Sequence, residues 1–272
     1  LAQRWRETHT DGQLLVVCGS DFARSYANAV DTDSLSTFRR KARTVGFFVL
    51  DDVHLLGSKR AAQQELVRTI DALLDVLPND IDGLVNNAGL PPTKDANILL
   101  RVNLIGLKRL TYGLIPKLAD GASIVNVASL AGHGWPNAVD AIKAADDLDF
   151  GNLDAFIARW KVSSEGGRSY FFSKEALIAW TLRNRWTWRD RGIRMNSVSP
   201  GPVDTPILGD FLQTLGARAE EDRKIMDRPG TPQDIAPVIA FLLSDMTTWI
   251  RGTNIPTDGG MHSNILCSMH GL

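Results

Sequence analysis

The chain has 272 residues, of which 44% are hydrophobic and 22% charged, with a formal net charge of −1. Those fractions are close to globular averages and suit one large α/β domain or two small ones. The near-neutral balance excludes bulk electrostatic attraction to nucleic acid or to a membrane surface, and no apolar run reaches the length of a membrane span.

In chain order, "LLVVCG" (14–19) predicts a strand, and "DFARSYANAV" and "SLSTFRRKAR" predict helices capped by Asp21 and Ser34. "GFFVLDD" (46–52) is a second strand, a buried apolar run that ends in the acids Asp51 and Asp52. "KRAAQQELVRTIDALLDVL" places Leu66, Ile70, Leu73, Leu74 and Leu77 at helical spacing and is stopped by Pro78. Further strands are expected at "DGLVNNAG" (82–89), "ASIVNVAS" (122–129), "IRMNSVSPG" (193–201) and "NIPTDGG" (254–260). Continuous apolar strands separated by helices predict an α/β fold, a Rossmann-like three-layer sandwich with a mostly parallel sheet. Segment 135–168, with Asp140, Asp146, Asp147 and Asp149, is expected to be a solvated insertion before a helix that starts near Ser169.

The two cysteines, Cys18 and Cys267, lie at opposite ends and form no CxxC pair, which suggests a reducing, cytoplasmic setting without disulfides. The five histidines show no metal-ligand spacing, so no metal site is expected. No signal peptide is recognisable, and the first residue is Leu1 rather than methionine, which leaves residues upstream an open question.

The sharpest chemical signal is "SYFFSKEAL", in which Tyr170 and Lys174 stand at i and i+4 on one helix face. An ammonium beside a phenol favours the phenolate and moves its pKa toward neutrality, which suits a general base or, in reverse, a general acid. Read alone, the pair is equally an ordinary surface pair. Ser129 ends the strand 122–129, "NNAG" (Asn86 to Gly89) ends the strand 82–89, Asn103 follows in the next helix, and "SPGPVDTP" (199–206) ends the strand 193–201. Apart from Asn103, these sit at the strand ends where open α/β sheets bind ligands. "RNRWTWRDRGIR" (183–194) is basic and aromatic, but it reads as a helix end and a turn rather than a nucleic-acid surface.

With these motifs in place, residues 76–272 resemble the short-chain dehydrogenase/reductase family. The stretch from Ser129 to Tyr170 is longer than in most members. It is similar to the branch that contains bacterial 3α-hydroxysteroid dehydrogenase/carbonyl reductase and coniferyl-alcohol dehydrogenase. The resemblance implies a catalytic tetrad of Asn103, Ser129, Tyr170 and Lys174. It also implies dinucleotide contacts from Asn87, Ala88, Gly89, Lys174, Pro200, Gly201, Val203 and Thr205. The cofactor implied is NAD or NADP, with NAD favoured. The implied reaction is hydride transfer between an alcohol, aromatic allylic or hydroxysteroid, and its carbonyl. Segment 206–230 would form a lid whose apolar face carries Ile207, Leu208, Phe211 and Leu212; ordinary helix packing explains that stripe as readily. A small-molecule substrate is implied, with a homodimer or homotetramer as the assembly and no nucleic-acid or membrane partner.

Residues 1–75 do not continue that pattern. Up to the start of the strand 82–89 the glycines are Gly12, Gly19, Gly46 and Gly57, with Gly83 inside the strand itself, and none makes the GxGxxG-type turn that a pyrophosphate needs. This segment instead resembles part of the AAA+ ATPase domain of bacterial chromosomal replication initiators, with "FFVLDDVHLL" similar to its Walker B strand. No G-x-x-x-x-G-K-[ST] loop accompanies it; "GSKRAA" (57–62) has the wrong spacing. The expectation is a composite α/β chain in which an AAA+-like fragment (1–75) replaces the first strand–helix units of a dehydrogenase (76–272), with cofactor binding weakened. The rival expectations are an AAA+ nucleotide-binding protein and an inactive chimera.

Overall fold

The strand-forming runs organise two sheets. The computed structural model describes residues 14–43, 47–51, 61, 62, 65, 69, 81–216 and 226–272, and it divides the chain into two units, Leu1–Pro78 and Asn79–Leu272.

In the first unit, β1 (Leu14–Cys18) pairs in parallel with β2 (Phe47–Asp51), in a register running from Leu14↔Phe47 to Cys18↔Asp51. A parallel pair needs a crossover, here α1 (Gly19–Asp31) and α2 (Leu35–Arg43). α1 starts directly after β1, so Asp21 falls in the first turn rather than at the cap, whereas Ser34 immediately precedes α2 as expected. Phe22, Ala23 and Ala62 form a small core, with Phe38 set edge-on to Phe22 at 5.3 Å. The buried Glu65 carboxylate receives both Nε and NH2 of Arg39 at 2.7 Å, a fork-to-fork pair. Of the helix expected over 59–77, only Ala61, Ala62, Glu65 and Thr69 are described, all four helical. Asp52 and the side chain of Asp51 lie outside the described residues.

The second unit is built on a four-stranded parallel sheet in the order β3 (Ile81–Asn86), β4 (Leu118–Val127), β5 (Arg194–Pro200), β6 (Asn254–Thr257). Between β3 and β4 run α3 (Ala96–Leu100), a π-helical turn (Arg101–Gly106) and α4 (Leu107–Leu114). Between β4 and β5 run α5 (Val139–Ala144), α6 (Leu153–Trp160) and α7 (Arg168–Arg183). α8 (Ile207–Leu215) and α9 (Pro232–Leu243) lead to β6, and α10 (Met261–His270) follows it. The sheet is buried on both faces: Leu107, Leu177 and Ile178 pack with Ile124 and Met195, while Ile235, Ile239 and Leu242 pack with Val125 and Val198. The α/β, Rossmann-like three-layer expectation therefore holds for this unit.

Segment 135–168 differs from the solvated excursion that its acids suggest. Ile142, Leu153, Phe156 and Val162 are buried in one cluster with Leu99, Leu100, Leu104 and Phe172. α5 and α6 cover the outer side of α7, whose residues Phe172 to Thr181 are all buried. The acids face outward, as Asp146 does in its ion pair with Arg183. A helix buried on this many sides needs such a cover.

Candidate active site

Parallel strands place their C-terminal ends on one edge, and the sequence-identified residues collect there. Asn87, Ala88 and Gly89 are exposed just beyond β3, Ser129 follows β4, and Pro200, Gly201, Val203 and Thr205 continue from β5. The last group is tied down by Gly201 N–H donating to the Thr257 carbonyl at 3.3 Å and by a bridge between Val203 and Gly230.

Beneath this edge runs a buried polar chain. The Asn86 amide donates to Thr111 Oγ1 at 2.9 Å and to Asn126 Oδ1 at 2.8 Å, and the Asn126 amide donates to Thr181 Oγ1 at 2.9 Å. Buried amides with their partners in place fix register, here joining β3 and β4 to α4 and α7. The sequence reading named Asn86 only as part of the NNAG strand end and passed over Asn126; amides repeated at corresponding ends of apolar strands are the signal that points to their pairing.

Asn103 stands in the π turn and is 2% exposed. Its Oδ1 accepts from Leu90 N–H at 2.7 Å and its Nδ2 donates to the Leu90 carbonyl at 3.0 Å. The carboxamide thus clasps the turn that follows Asn87–Gly89. Widened π turns recur at functional sites, and this one aims Asn103 inward.

Ser129 caps a short 3-10 turn by accepting from Ala131 N–H at 3.2 Å, and its hydroxyl is near enough to the Tyr170 phenol to favour the ionised form. Lys174 Nζ donates to the Val127 carbonyl at 2.8 Å and lies 5.6 Å from the centroid of the Tyr170 ring. Both groups are buried, and burial dominates their ionisation. The phenol is pushed up to about 12 by desolvation, which the nearby Ser129 hydroxyl opposes. The ammonium is pushed down to about 8 by desolvation. This differs from the sequence expectation of a phenol drawn toward neutrality. Lys174 is engaged with a backbone carbonyl, and loss of hydration outweighs its attraction for a phenolate. The protonated phenol is the resting form, a proton donor near a serine hydroxyl.

The helix α8, from the segment expected to form a lid, reaches this centre. Phe211 packs edge-on against Tyr170 at 4.9 Å, and Thr93 Oγ1 donates to Asp210 Oδ1 at 2.5 Å, tying α8 to the loop after Gly89. Residues 217–225 of the expected lid lie outside the described residues.

The second unit suits the nicotinamide-ribose end of a dinucleotide. Lys174 is a buried ammonium whose described hydrogen bond uses one of its three N–H donors, leaving two for ribose hydroxyls. The first unit, taken by itself, suits a pyrophosphate poorly. α1 follows β1 with no glycine-rich turn, and its first turn carries the Asp21 carboxylate, paired with Arg24 at 2.6 Å. Among the described residues no group of three or more His, Cys, Asp or Glu is placed to hold a metal ion.

Comparison with known proteins divides the chain in the same way. Residues 155–262 match the family model described as enoyl-(acyl carrier protein) reductase, and residues 1–81 match that of the bacterial DnaA ATPase domain. A coniferyl-alcohol dehydrogenase of Pseudomonas sp. is 40% identical over 197 residues, covering 71% of this chain and 76% of the relative. The 3-alpha-hydroxysteroid dehydrogenase/carbonyl reductase of Comamonas testosteroni is 32% identical, covering 70% of this chain and 77% of the relative. Among solved structures, a 3-alpha-hydroxysteroid dehydrogenase from Pseudomonas sp. B-0831 complexed with NADH superposes with a TM-score of 0.62 at 23% identity. That match spans 93% of this chain and 98% of the other, and it speaks for the fold.

Proposed function

Because the chain belongs to the short-chain dehydrogenase/reductase family, we propose that it is an NAD(P)-dependent oxidoreductase that interconverts an aromatic allylic alcohol, of the coniferyl type, and its aldehyde. The observation that carries this reading is the buried Tyr170 with Lys174 Nζ 5.6 Å from its ring centroid, next to Ser129 at the C-terminal edge of the sheet. A hydroxysteroid is the second substrate class, supported by the 32% identical relative of that name. The aromatic class is favoured by the 40% identity to a coniferyl-alcohol dehydrogenase and by the apolar lid that carries Phe211 against Tyr170.

When bound, a nicotinamide dinucleotide supplies or accepts the hydride. The residues do the rest. In reduction, Tyr170 transfers its phenolic proton to the carbonyl oxygen, and Ser129 donates a hydrogen bond to that oxygen as negative charge develops on it. Lys174, with its free N–H donors, would hold the ribose and favour the phenolate left behind. In oxidation the phenolate takes the hydroxyl proton. Asn103 acts through its clasp on Leu90, holding the turn of Asn87, Ala88 and Gly89 in place. Those three residues, with Pro200, Gly201, Val203 and Thr205, would line the dinucleotide. NAD is the favoured form, as in the solved relative complexed with NADH. Its binding is weakened because residues 1–75, read as an AAA+-like fragment fused to a dehydrogenase portion (76–272), bring no phosphate turn.

The rival AAA+ reading rests on the match over 1–81 and lacks a phosphate loop. An assembly of two or four copies would use surfaces other than α7, which α5 and α6 cover. A cytoplasmic location fits the free, exposed Cys267; among the described residues no helix is long and apolar enough to cross a membrane. Fluorescence titration with NADH, NADPH and ATP, alongside turnover of coniferyl alcohol, tests the proposal. NADH quenching with turnover supports it, and no NADH binding at millimolar concentration overturns it.

A further inference from the structure

Resting on the proposed dehydrogenase reading, we propose that Arg168 and Glu175 form a positioning strut that sets Tyr170, Lys174 and the Ser129 loop in register. α7 begins without help from a side-chain cap: its N-cap is Gly167 in a left-handed conformation (φ 72°), and its first turn carries the basic Arg168, unfavourable at the positive end of a helix. The stabilising element lies two turns further on. Arg168 NH1 donates to Glu175 Oε1 at 2.9 Å and NH2 donates to Oε2 at 2.7 Å, a bidentate pair across the i and i+7 positions. The Glu175 side chain is 8% exposed, so the pair is held in a drier setting than a surface bridge. Tyr170 and Lys174 are both contained in the span that it brackets.

The same carboxylate meets the serine loop. A Cβ on Gly134 would stand 3.2 Å from Glu175 Oε1, and one on Gly132 would stand 2.7 Å from the Lys174 carbonyl oxygen. The chain from Ser129 to Gly134 therefore lies flush against Lys174 and Glu175. Glu175 Oε1 stands beside Gly134 of the serine loop, close enough that a Cβ there would meet it, and through Arg168 it holds the turn that presents the tyrosine. It reaches the reacting atoms only through these neighbours, which makes it a positioning residue. The requirement is for geometry rather than charge, because only a guanidinium presents a planar fork to both carboxylate oxygens.

Three variants test this: Glu175→Gln, Arg168→Met and Arg168→Lys. Each is expected to lower kcat roughly tenfold to hundredfold, because small misplacements of reacting groups are costly. KM should stay within about twofold, since substrate contacts are untouched. Backbone hydrogen exchange, measured without cofactor, should quicken in 129–135 and 168–175 and nowhere else. An Arg168→Lys protein with wild-type kcat would show that charge suffices and would overturn the proposal, as would unchanged kcat in all three with only a lowered melting temperature. Should the wild type bind no dinucleotide and turn over no alcohol, the dehydrogenase reading fails and exchange alone decides the strut. Confined quickening upholds it; unchanged or uniform exchange overturns it.

Discussion

Replacing Lys174 by methionine should make stability respond to pH in a way that isolates one buried charge. Lys174 is 7% exposed, and burial pushes its pKa from an ordinary 10.5 to about 8. Below about pH 8 the side chain is charged in both the folded and unfolded chain, and the folded state carries the full cost of dehydrating it. Between about 8 and 10.5 the folded protein releases the proton while the unfolded chain keeps it. The unfolded state then binds more protons, so stability rises with pH. Above 10.5 both states are neutral and the cost is gone. The interval between those two values is worth ~3 kcal/mol. Methionine keeps the unbranched length without the charge. It gives up the hydrogen bond to the Val127 carbonyl, a loss of ~1 kcal/mol that does not change with pH. Urea unfolding of both proteins from pH 7 to 10.5 gives the difference directly. Wild-type stability should climb toward and past the variant by ~3 kcal/mol over that range. Tyr170, pushed up to about 12 by its own burial, makes stability fall above pH 10 in both proteins and cancels from the difference. A difference that stays flat with pH would refute the buried-ammonium account.

The same ionisations set the rate profile: carbonyl reduction by the wild type should be level below about pH 8 and fall above it, as Lys174 loses the charge that favours the departing phenolate, and a reduction rate that rises through pH 9 would contradict this. Asn103→Ala strands the N–H and carbonyl of Leu90, so it should cost ~2–4 kcal/mol in thermal or urea unfolding; an unchanged midpoint would remove the clasp. Phe211→Ala removes the edge contact on Tyr170 and should lower kcat/KM for aromatic alcohols by about fivefold, corresponding to ~1 kcal/mol, while sparing small aliphatic ones.

The strands of the second unit were legible because a sheet covered on both faces demands continuous apolar runs, and β3, β4, β5 and β6 lie where those runs stand. Segment 135–168 misled because α5 and α6 are too short for a helical period to emerge, and its acids are the conspicuous residues. Tyr170, Lys174 and Ser129 could be picked out from spacing and position at strand ends. The sign of their ionisation could not, since it depends on dehydration by side chains distant in sequence, such as Phe211. Asn103 was visible as a motif residue but its clasp was not, because the partner is the backbone of Leu90, which carries no side-chain signal. The strut had no sequence signal for a related reason: an i, i+7 pair of opposite charges is ordinary on a helix, and only the fold brings Gly134 of the serine loop beside the carboxylate.

The most direct test of the central claim is NADH-dependent reduction of coniferyl aldehyde by the wild type and by Tyr170→Phe, with NADH binding followed by fluorescence in the same samples. The phenol is protonated at neutral pH, held up to about 12 by burial, and has one proton to give. The expected result is turnover by the wild type and a loss of roughly a thousandfold or more in the variant, with the NADH titration unchanged. Equal turnover by the two proteins, or none by a wild type saturated with NADH, would contradict the account.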